Sequence, residues 1–525
     1  MKFRNRLLCA VTMFGLGLGF LPASAETLKL ALAQEHQSVD PHFSRTSPNR
    51  NTAEQIFEAL VTIDENMQMQ PQLAESWTAV DDLTWEIKLR PDVLFHDGTA
   101  FDAADVISSV NRIPNVENSP ASFVSAVASI ESMEAVDDHT LLIKTKEPTP
   151  NLMELVGSVY IIPSELGVSI KSADFDAGSA AIGTGPYSFV SWTPNESLVL
   201  KRHDQYWGNA PSYSDVVVRY IPNSTARVAT LIAGDVDAID KVPPSDISAI
   251  ERRGGLKLAN SVSGRVIYLH LDSDRDVTPH ITGPEGEEIK NPLKDARVRK
   301  ALSMMIDRFL ISTRIMQGAA TPTGQMVPEG FSGFNPDIAA PEADLAAAKK
   351  LLAEAGYPDG FSVTIHGPND RYVNDAKVIQ AISQLFARGG LKSKVEAMPK
   401  NIYFKSASKR DFSVFLVGFG TSSGNSGRGL LQVLGTYDKE AGKGTFNRGR
   451  FSNPEFDAVM AEAVTSFDDA RREELLRQAA EIAFTDEQGI IPLYFEKLIW
   501  ATRDGIDFDT RPVERTLAQS FHPQG

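Results

Sequence analysis

The segment 420–424, Gly-Thr-Ser-Ser-Gly, is the part of the chain that most resembles a catalytic motif. It fits the nucleophile-elbow pattern G-x-S-x-G, in which a serine between a strand and a helix attacks a carbonyl carbon, and residues 412–417 are predicted as the preceding strand. Such a hydrolase also needs a histidine later in the chain, and only His522 follows, three residues from the C-terminus. We therefore interpret this segment as a polar, glycine-rich loop suited to hydrogen-bonding a ligand, with a secreted serine hydrolase using Ser422 as the remote alternative.

The sequence contains fragments of metal-binding patterns but no complete one. Asp272, Asp274 and Asp276 match the D-x-D-x-D start of a calcium loop. However, Val277 stands where that loop needs a glycine, and Gly283 stands where it needs a bidentate glutamate. The nine histidines show no H-E-x-x-H or other short metal-binding spacing. The sequence thus predicts no catalytic residue set, no metal ligands and no cofactor.

The composition is that of a large globular protein. The chain has 525 residues, of which 42% are hydrophobic and 23% are charged. These values exclude a disordered chain, a collagen and a polytopic membrane protein. Since the length is too great for one hydrophobic core, we expect more than one lobe. The formal net charge of −16 argues against a nucleic-acid partner, because phosphate contacts need clustered Lys and Arg.

The first 25 residues have the pattern of a cleavable secretory signal peptide. Three cations within the first six residues precede an apolar run over 7–21, and residues 23–25, Ala-Ser-Ala, fit the pattern after which signal peptidase cuts. The only cysteine, Cys9, lies at the start of the apolar run, whereas a lipid-modified cysteine would follow it. We therefore predict cleavage after Ala25, a mature chain without cysteine, and a location in the bacterial periplasm.

Patterns typical of strands and of helices alternate along the mature chain. Alternating apolar residues predict strands, and apolar residues at helical spacing predict helices; Val298, Leu302 and Phe309 fall on one face of such a helix. The mixture predicts an α/β class. The predicted strands cover 28–32, 83–89, 139–145, 197–201, 361–365 and 412–417, and the predicted helices cover 51–60, 295–317 and 341–355.

Stretches distributed over the chain carry a family resemblance. In chain order they are Leu-Ala-Glu-Ser-Trp at 73–77 with Phe-His-Asp-Gly-Thr at 95–99, Gly-Thr-Gly-Pro-Tyr at 183–187, Gly-Asp-Val-Asp at 234–237, Arg-Val-Arg-Lys-Ala-Leu at 297–302, and Glu-Ala-Gly-Tyr-Pro-Asp-Gly-Phe at 354–361. Each stretch alone has little specificity. As an ordered set they resemble the solute-binding proteins of family 5, which serve peptide, dipeptide and nickel ABC importers.

The resemblance implies an α/β fold of the periplasmic-binding-protein type, with three lobes and a hinged ligand cleft. It places lobe II at 53–181, as an insertion, and lobe III at 269–494. Lobe I is then assembled from 26–52, 182–268 and 495–525. The resemblance also implies that the solute binds between lobes I and III, which close about the hinge.

What the resemblance implies about function is a transport receptor and not an enzyme. The expected ligand is a peptide or peptide-like small solute. The expected partners are the inner-membrane permease subunits of an ABC importer, whose ATPase subunits are separate, and the receptor itself is expected to be a monomer. Within the same family, a receptor for nickel, a metal chelate or another small anionic solute is the alternative.

The candidate ligand-binding residues lie in two loops. In peptide-binding relatives the loop that corresponds to 418–425 carries an acidic residue, which pairs with the amino terminus of the ligand. Here that loop has no carboxylate, and Arg428 follows it; this favours anionic or amino-blocked solutes over ordinary free-amine peptides. The second loop follows the strand at 361–365, and its alternative interpretation is a surface turn with a solvated arginine. The candidate ligand contacts are Phe419, Thr421, Ser422, Ser423, Asn425, Arg428, Arg371 and Tyr372.

Overall fold

A computed structural model describes residues 27–421 and 424–524. The predicted signal peptide and the two serines Ser422 and Ser423 lie outside these residues. Within the described ranges, no helix is both long enough and apolar enough to cross a membrane.

Strands and helices alternate from end to end. The strands are β1 Thr27–Leu32, β2 Val61–Ile63, β3 Met69–Pro71, β4 Ala74–Ala79, β5 Thr84–Leu89, β6 Ile130–Asp137, β7 Thr140–Thr145, β8 Tyr187–Thr193, β9 Ser197–Arg202, β10 Asp215–Tyr220, β11 Ala238–Ile239, β12 Leu256–Leu271, β13 Ile281–Thr282, β14 Ala320–Pro322, β15 Ser362–Pro368, β16 Lys392–Met398, β17 Val414–Gly420, β18 Ile491–Arg503, β19 Ile506–Phe508 and β20 Phe521–Pro523. The α-helices are α1 Ser47–Ile56, α2 Ala103–Arg112, α3 Val124–Val127, α4 Leu152–Val156, α5 Ser172–Asp176, α6 Ser224–Ala233, α7 Pro244–Arg252, α8 Ala296–Met304, α9 Arg308–Leu310, α10 Leu345–Glu354, α11 Asp375–Arg388, α12 Lys400–Lys409, α13 Gly427–Val433, α14 Pro454–Thr465 and α15 Asp469–Glu481.

One large mixed sheet organises most of these elements. Its strand order is β13-β15-β17-β12-β18-β11-β1-β10-β9-β8, with β14 added to β18 and β16 added to β15. A separate antiparallel sheet has the order β4-β5-β7-β6. The two longest strands, β12 and β18, pair with each other and connect the two halves of the large sheet. Their register shifts between Val262 and Val266 and again between Ile267 and Tyr268, so the ladder is interrupted midway between the halves.

Helices cover both faces of the C-terminal half of the sheet. Along β12, Ile267 and Leu269 belong to one buried cluster, whereas Val266 and Tyr268 belong to another on the opposite face. This is the alternation expected of a strand that is buried on both sides. Two further buried clusters pack around β1 with α1 and β10, and around the four-stranded sheet with α2 and α4. The chain therefore forms several separately packed bodies of mixed α/β type.

The sequence-predicted strands are confirmed with small changes in their bounds, but the helix predicted over 295–317 is wrong. It ends at Met304, and the chain turns before α9, where the N–H of Leu310 donates to the Asp307 carboxylate at 2.8 Å. Arg308 is 1% exposed, and its guanidinium donates to the carbonyls of Pro492 and Ser303. Burying this cation requires those acceptors, and the helix is broken to reach them. Phe309, predicted on the apolar face, is 51% exposed.

Two other helices differ from prediction at their N-terminal ends. The helix predicted at 51–60 begins at Ser47, where Pro48 suits the first turn, and it ends at Ile56 because Phe57 takes an extended conformation. The helix predicted at 341–355 begins only at Leu345, since the Asp344 carboxylate caps it by accepting from the N–H of Ala347 at 2.9 Å.

Candidate functional site

The structure brings the two candidate loops together at the C-terminal end of β17. The N–H of Gly418 donates to the Tyr372 hydroxyl at 2.8 Å. The Tyr372 ring packs so closely that a Cβ on Gly418 would lie 2.9 Å from its Cε1 atom, so only a glycine fits here. The loop after β15 is therefore fixed to β17, the strand that leads into the other candidate loop, 418–425.

Arg371 projects from this fastened turn. The N–H groups of Arg371 and Tyr372 both donate to Oδ2 of Asp375, at 2.9 and 3.0 Å. The Arg371 guanidinium carbon lies 5.0 Å from the centre of the Tyr372 ring, within the range of a cation–π contact. The side chain is exposed and makes no ion pair with any described residue, which leaves its donors available to a ligand.

Phe419 and Thr421 lie beside β12. Phe419 pairs with Val266 of β12, and its ring meets the ring of Phe446 edge-on at 5.9 Å. The N–H of Thr421 donates to the carbonyl of Gly264 at 3.1 Å. Both residues are thus positioned by backbone pairing with β12. Ser422 and Ser423, the central candidates of this loop, are not among the described residues.

Asn425 makes a contact that sequence reasoning did not foresee. Its Nδ2 atom lies 2.7 Å from both carboxylate oxygens of Glu154, in α4. Its Oδ1 atom accepts from the N–H of Gly427 at 3.0 Å. Burial raises the pKa of Glu154 to about 7, although the hydrogen bond from Asn425 opposes that shift. Asn425 therefore joins the loop after β17 to the body that contains the four-stranded sheet.

Arg428 lies in the first turn of α13 and is exposed. Within the part of the chain that the structure describes, its guanidinium forms no hydrogen bond or ion pair. It is the candidate cation that follows the loop 418–425, and that loop contains no carboxylate. The histidine that a serine hydrolase would need, His522, contacts Asp509 at 3.0 Å and Ser212 at 3.3 Å, and neither residue belongs to this loop.

Four side chains of alternating charge lie where the two halves of the large sheet meet. Lys241 lies 3.5 Å from Glu514, and Glu514 lies 2.9 Å from Arg265. Arg265, on β12, also lies 3.4 Å from Glu496, on β18. Lys241 donates in addition to the side-chain carbonyl of Gln34 at 2.8 Å. The charges connect both long strands, the C-terminal segment and the end of β1.

Burial and ion pairing shift the pKa values of these charged side chains in opposite directions. Burial alone would raise the pKa of Glu514, but Lys241 and Arg265 outweigh it and lower that pKa to about 2. For Glu496 the effect of burial prevails, and its pKa is raised in spite of Arg265. Arg265 keeps a raised pKa because Glu514 and Glu496 outweigh the loss of its hydration. Removing one member would leave a half-buried charge unpaired.

A second ionic group lies on α1. Arg515 is 2.9 Å from Glu54, and Arg50 is 3.7 Å from the same carboxylate. The Tyr160 hydroxyl donates to Glu54 at 3.0 Å. Burial would raise the pKa of Glu54, but the two arginines and this hydrogen bond lower it. One carboxylate therefore serves two cations.

These ionic groups were missed because no sequence signal marks them. Residues 241, 265, 496 and 514 are separated by up to 273 positions, and each is an ordinary charged residue in its own segment. In residues 27–421 and 424–524, no group of three or more His, Cys, Asp or Glu is placed to hold a metal ion. What the arrangement provides is a set of polar and charged side chains from separate bodies, gathered around a pair of connecting strands.

Comparison with known proteins gives a consistent result. Residues 68–441 match the family model described as bacterial extracellular solute-binding proteins, family 5 Middle. The chain is 28% identical over 488 residues to the glutathione-binding protein GsiB of Pectobacterium atrosepticum, covering 91% of this chain and 90% of that protein. Its fold is similar to that of HbpA2 from Haemophilus parasuis, with a TM-score of 0.82 and 24% identity over 95% of this chain and 100% of that chain. It is also similar to the periplasmic binding protein DppA from Helicobacter pylori in complex with the peptide STSA, with a TM-score of 0.72 and 22% identity over 95% of this chain and 98% of that chain.

Proposed function

The chain belongs to the bacterial extracellular solute-binding proteins of family 5, and we propose that it is the periplasmic receptor of an ABC importer for a peptide or peptide-like solute. The observation that carries the proposal is the pair β12 and β18, which connects two separately packed bodies and whose ladder is interrupted midway. Two connecting strands of this kind can act as a hinge. No catalytic residue set is needed for this function.

Closure would bury the solute and replace its water contacts with protein groups. The available groups are the Arg371 and Arg428 guanidinium groups, the Tyr372 turn and the backbone at the end of β17. A receptor that reads mainly backbone and terminal groups of a peptide can accept different side chains. The closed form would then dock on permease subunits in the inner membrane.

The relatives support a peptide-like solute. GsiB is a glutathione-binding protein by name, and DppA was solved with the peptide STSA. Both ligands present backbone amides and carboxylates, which suit the groups at the end of β17 and the cations beside it. Nickel or a metal chelate is the alternative within the family, and it would appear as stabilisation that depends on the metal.

The decisive experiment is to identify the solute that co-purifies with the protein from periplasm. Native mass spectrometry of the gently purified protein should show a mass increment, and denaturation should release a peptide-like molecule of that mass. Release of a metal chelate would favour the alternative. If no solute is released, and if neither glutathione nor short peptides raise the melting temperature, the proposed peptide function is wrong.

The lobe bounds, the cleavage site and the oligomeric state follow from the same family resemblance. We propose that lobe I comprises 26–52, 182–268 and 495–525, that lobe II comprises 53–181, and that lobe III comprises 269–494. The mature N-terminus is proposed to be Glu26, after cleavage behind Ala25. The intact mass of the periplasmic protein tests this cleavage site directly, since a single-residue difference is resolved. A monomer in size-exclusion chromatography with light scattering is the expected oligomeric state.

A further inference from the structure

Three arginines gather at one end of the candidate site without enough carboxylates to balance them. Nη1 of Arg45 donates to the Ser125 hydroxyl at 2.7 Å, and its guanidinium lies 5.9 Å from the Phe123 ring. Nε of Arg50 donates to the Tyr160 hydroxyl at 3.3 Å. These contacts orient two cations that precede or begin α1.

The contacts around α3 and α4 bring Arg428 to the same place. Ser125, the partner of Arg45, lies on α3, and α3 packs against α4. Glu154 on α4 is bound by Asn425, three residues before Arg428. Arg45 and the segment that carries Arg428 therefore both lie against the same pair of short helices. Consistent with this, burial lowers the pKa of Arg45, and repulsion from Arg428 and then Arg50 adds to that effect.

In the described part of the chain, the nearby carboxylates leave two of the three arginines without an ion pair. Glu54 pairs with Arg50 and also with Arg515. The carboxylate oxygens of Glu154 accept from Asn425. Among the described residues, Arg45 and Arg428 form no ion pair. Like charges repel, and the repulsion grows as water is excluded when a cleft closes. An anion placed between them would remove the repulsion and give their planar donor groups an acceptor.

We propose that Arg45, Arg50 and Arg428 form an anion subsite that binds a carboxylate of the solute and thereby selects anionic solutes. This inference rests on the proposed receptor function, which it makes more specific. The cations come from two bodies, α1 with its preceding segment and α13, so a carboxylate bound between them would also favour closure. A solute lacking a free carboxylate leaves the repulsion in place and binds weakly.

The subsite can be tested without knowing the solute. Succinate and inorganic phosphate serve as probes, and the melting temperature of the mature chain is measured against their concentration at constant ionic strength. We expect succinate to stabilise the unsubstituted protein, and Arg45→Gln and Arg428→Gln each to need at least about tenfold more succinate for the same shift. Arg428→Lys should retain part of the effect, because it keeps the charge but loses the planar fork. The matched control is Arg253→Gln, an exposed arginine after α7.

The outcomes separate the possible sources of the anion. Stabilisation by succinate but not phosphate supports a carboxylate subsite if it is lost in Arg45→Gln and in Arg428→Gln. Equal stabilisation of all five proteins means a general salt effect and overturns the proposal, as does the absence of any shift. Stabilisation by phosphate alone overturns the carboxylate assignment.

A second experiment separates this inference from the proposed function. Calorimetric titration compares glutathione with its diethyl ester, and short peptides with their C-terminal amides. We expect capping of the carboxylates to weaken binding to the unsubstituted protein at least about tenfold, and to change little in Arg428→Gln. Equal binding of capped and uncapped forms would overturn the subsite while leaving the peptide receptor intact. Binding of succinate without binding of any peptide form would retain the subsite and overturn the peptide function.

Discussion

Nδ2 of Asn425 lies 2.7 Å from both carboxylate oxygens of Glu154, and this contact joins the loop after β17 to α4. The two residues are 271 positions apart and belong to separately packed bodies. Nearby, Nε2 of Gln68 donates to the carbonyl of Gly330 at 3.2 Å, so the same two bodies meet at a second point. We call this contact the latch, because separation of the two bodies would break it.

The Glu154–Asn425 latch should make closure depend on pH. Burial raises the pKa of Glu154 to about 7 in the latched state, from 4.5 for an exposed carboxyl. The latched state, which buries Glu154, is therefore most favoured below about pH 4.5 and loses this advantage as the pH rises through about 7. We expect the radius of gyration from small-angle X-ray scattering to be smaller at pH 5 than at pH 8. Glu154→Gln should abolish this difference, whereas the exposed control Glu288→Gln should preserve it; an unchanged difference in Glu154→Gln would assign the titration to another group.

Gly424 should be required for close approach of the same two bodies. Its φ is +74°, and a Cβ added there would overlap the carbonyl oxygen of Met67. Gly442 has a similar φ of +66° with nothing within 4 Å of an added Cβ, so Gly442→Ala is a matched control for backbone strain alone. Both alanine variants should lose about 1 kcal/mol of stability. Only Gly424→Ala should also weaken solute binding, by about tenfold or more in calorimetric titration. Equal affinities of the two variants would show that the bodies do not need this contact.

Arg265 should stabilise the protein by pairing two carboxylates across the hinge strands. Arg265→Gln leaves Glu496 and Glu514 facing each other without that cation. We expect the free energy of unfolding in urea to fall by about 2 kcal/mol at pH 7.5. Because the pKa of Glu514 is lowered to about 2, its stabilising contribution is present above about pH 4.5 and is lost as the pH falls through 2.

The loss caused by Arg265→Gln should therefore shrink under acidic conditions, where the two carboxylates become protonated in the variant. Arg253→Gln, at an exposed site without an ion pair among the described residues, should change the unfolding free energy by less than about 0.5 kcal/mol. A loss in Arg265→Gln that is equal at pH 7.5 and pH 4 would mean that packing, and not charge, explains the effect.

Glu58 should give the folded chain a pH-dependent stability that is separate from closure. This carboxyl is 1% exposed, and it accepts from Trp207 at 2.7 Å and from Thr184 at 2.9 Å. Burial raises its pKa to about 7 against the effect of these hydrogen bonds. Its contribution is greatest below about pH 4.5 and is lost as the pH rises through about 7.

Urea unfolding of Glu58→Gln should accordingly show a smaller change in stability between pH 5 and pH 8 than the unsubstituted protein, by about 2 kcal/mol. Trp207→Phe removes one donor and should lower stability by about 1 kcal/mol at either pH. The exposed Glu288→Gln variant is again the control. A pH dependence that survives in Glu58→Gln would exclude this carboxyl as its source.

Features that depend on neighbouring residues could be predicted before the fold was known. Alternating apolar residues predicted β5 and β15. Gly98 has a φ of +88°, which a glycine adopts without strain. Short ordered motifs identified the family, because turns and strand ends need particular residues in particular order. The sequence also shows that the loop after β17 has no carboxylate and that Arg428 follows it.

Which charged residues contact each other could be seen only in the folded chain. The predicted helix at 295–317 is broken because Arg308 takes acceptors from β18, which lies far along the chain. Glu154 contacts Asn425, and Arg265 pairs with Glu496 and Glu514. The partners in each contact are more than 200 residues apart in the sequence. Spacing within one element sets which face a side chain occupies, but a long-range ion pair depends on how separate bodies are placed. The ion pairs of Arg265, the Glu154–Asn425 latch and the group of three arginines therefore form only once the chain is folded.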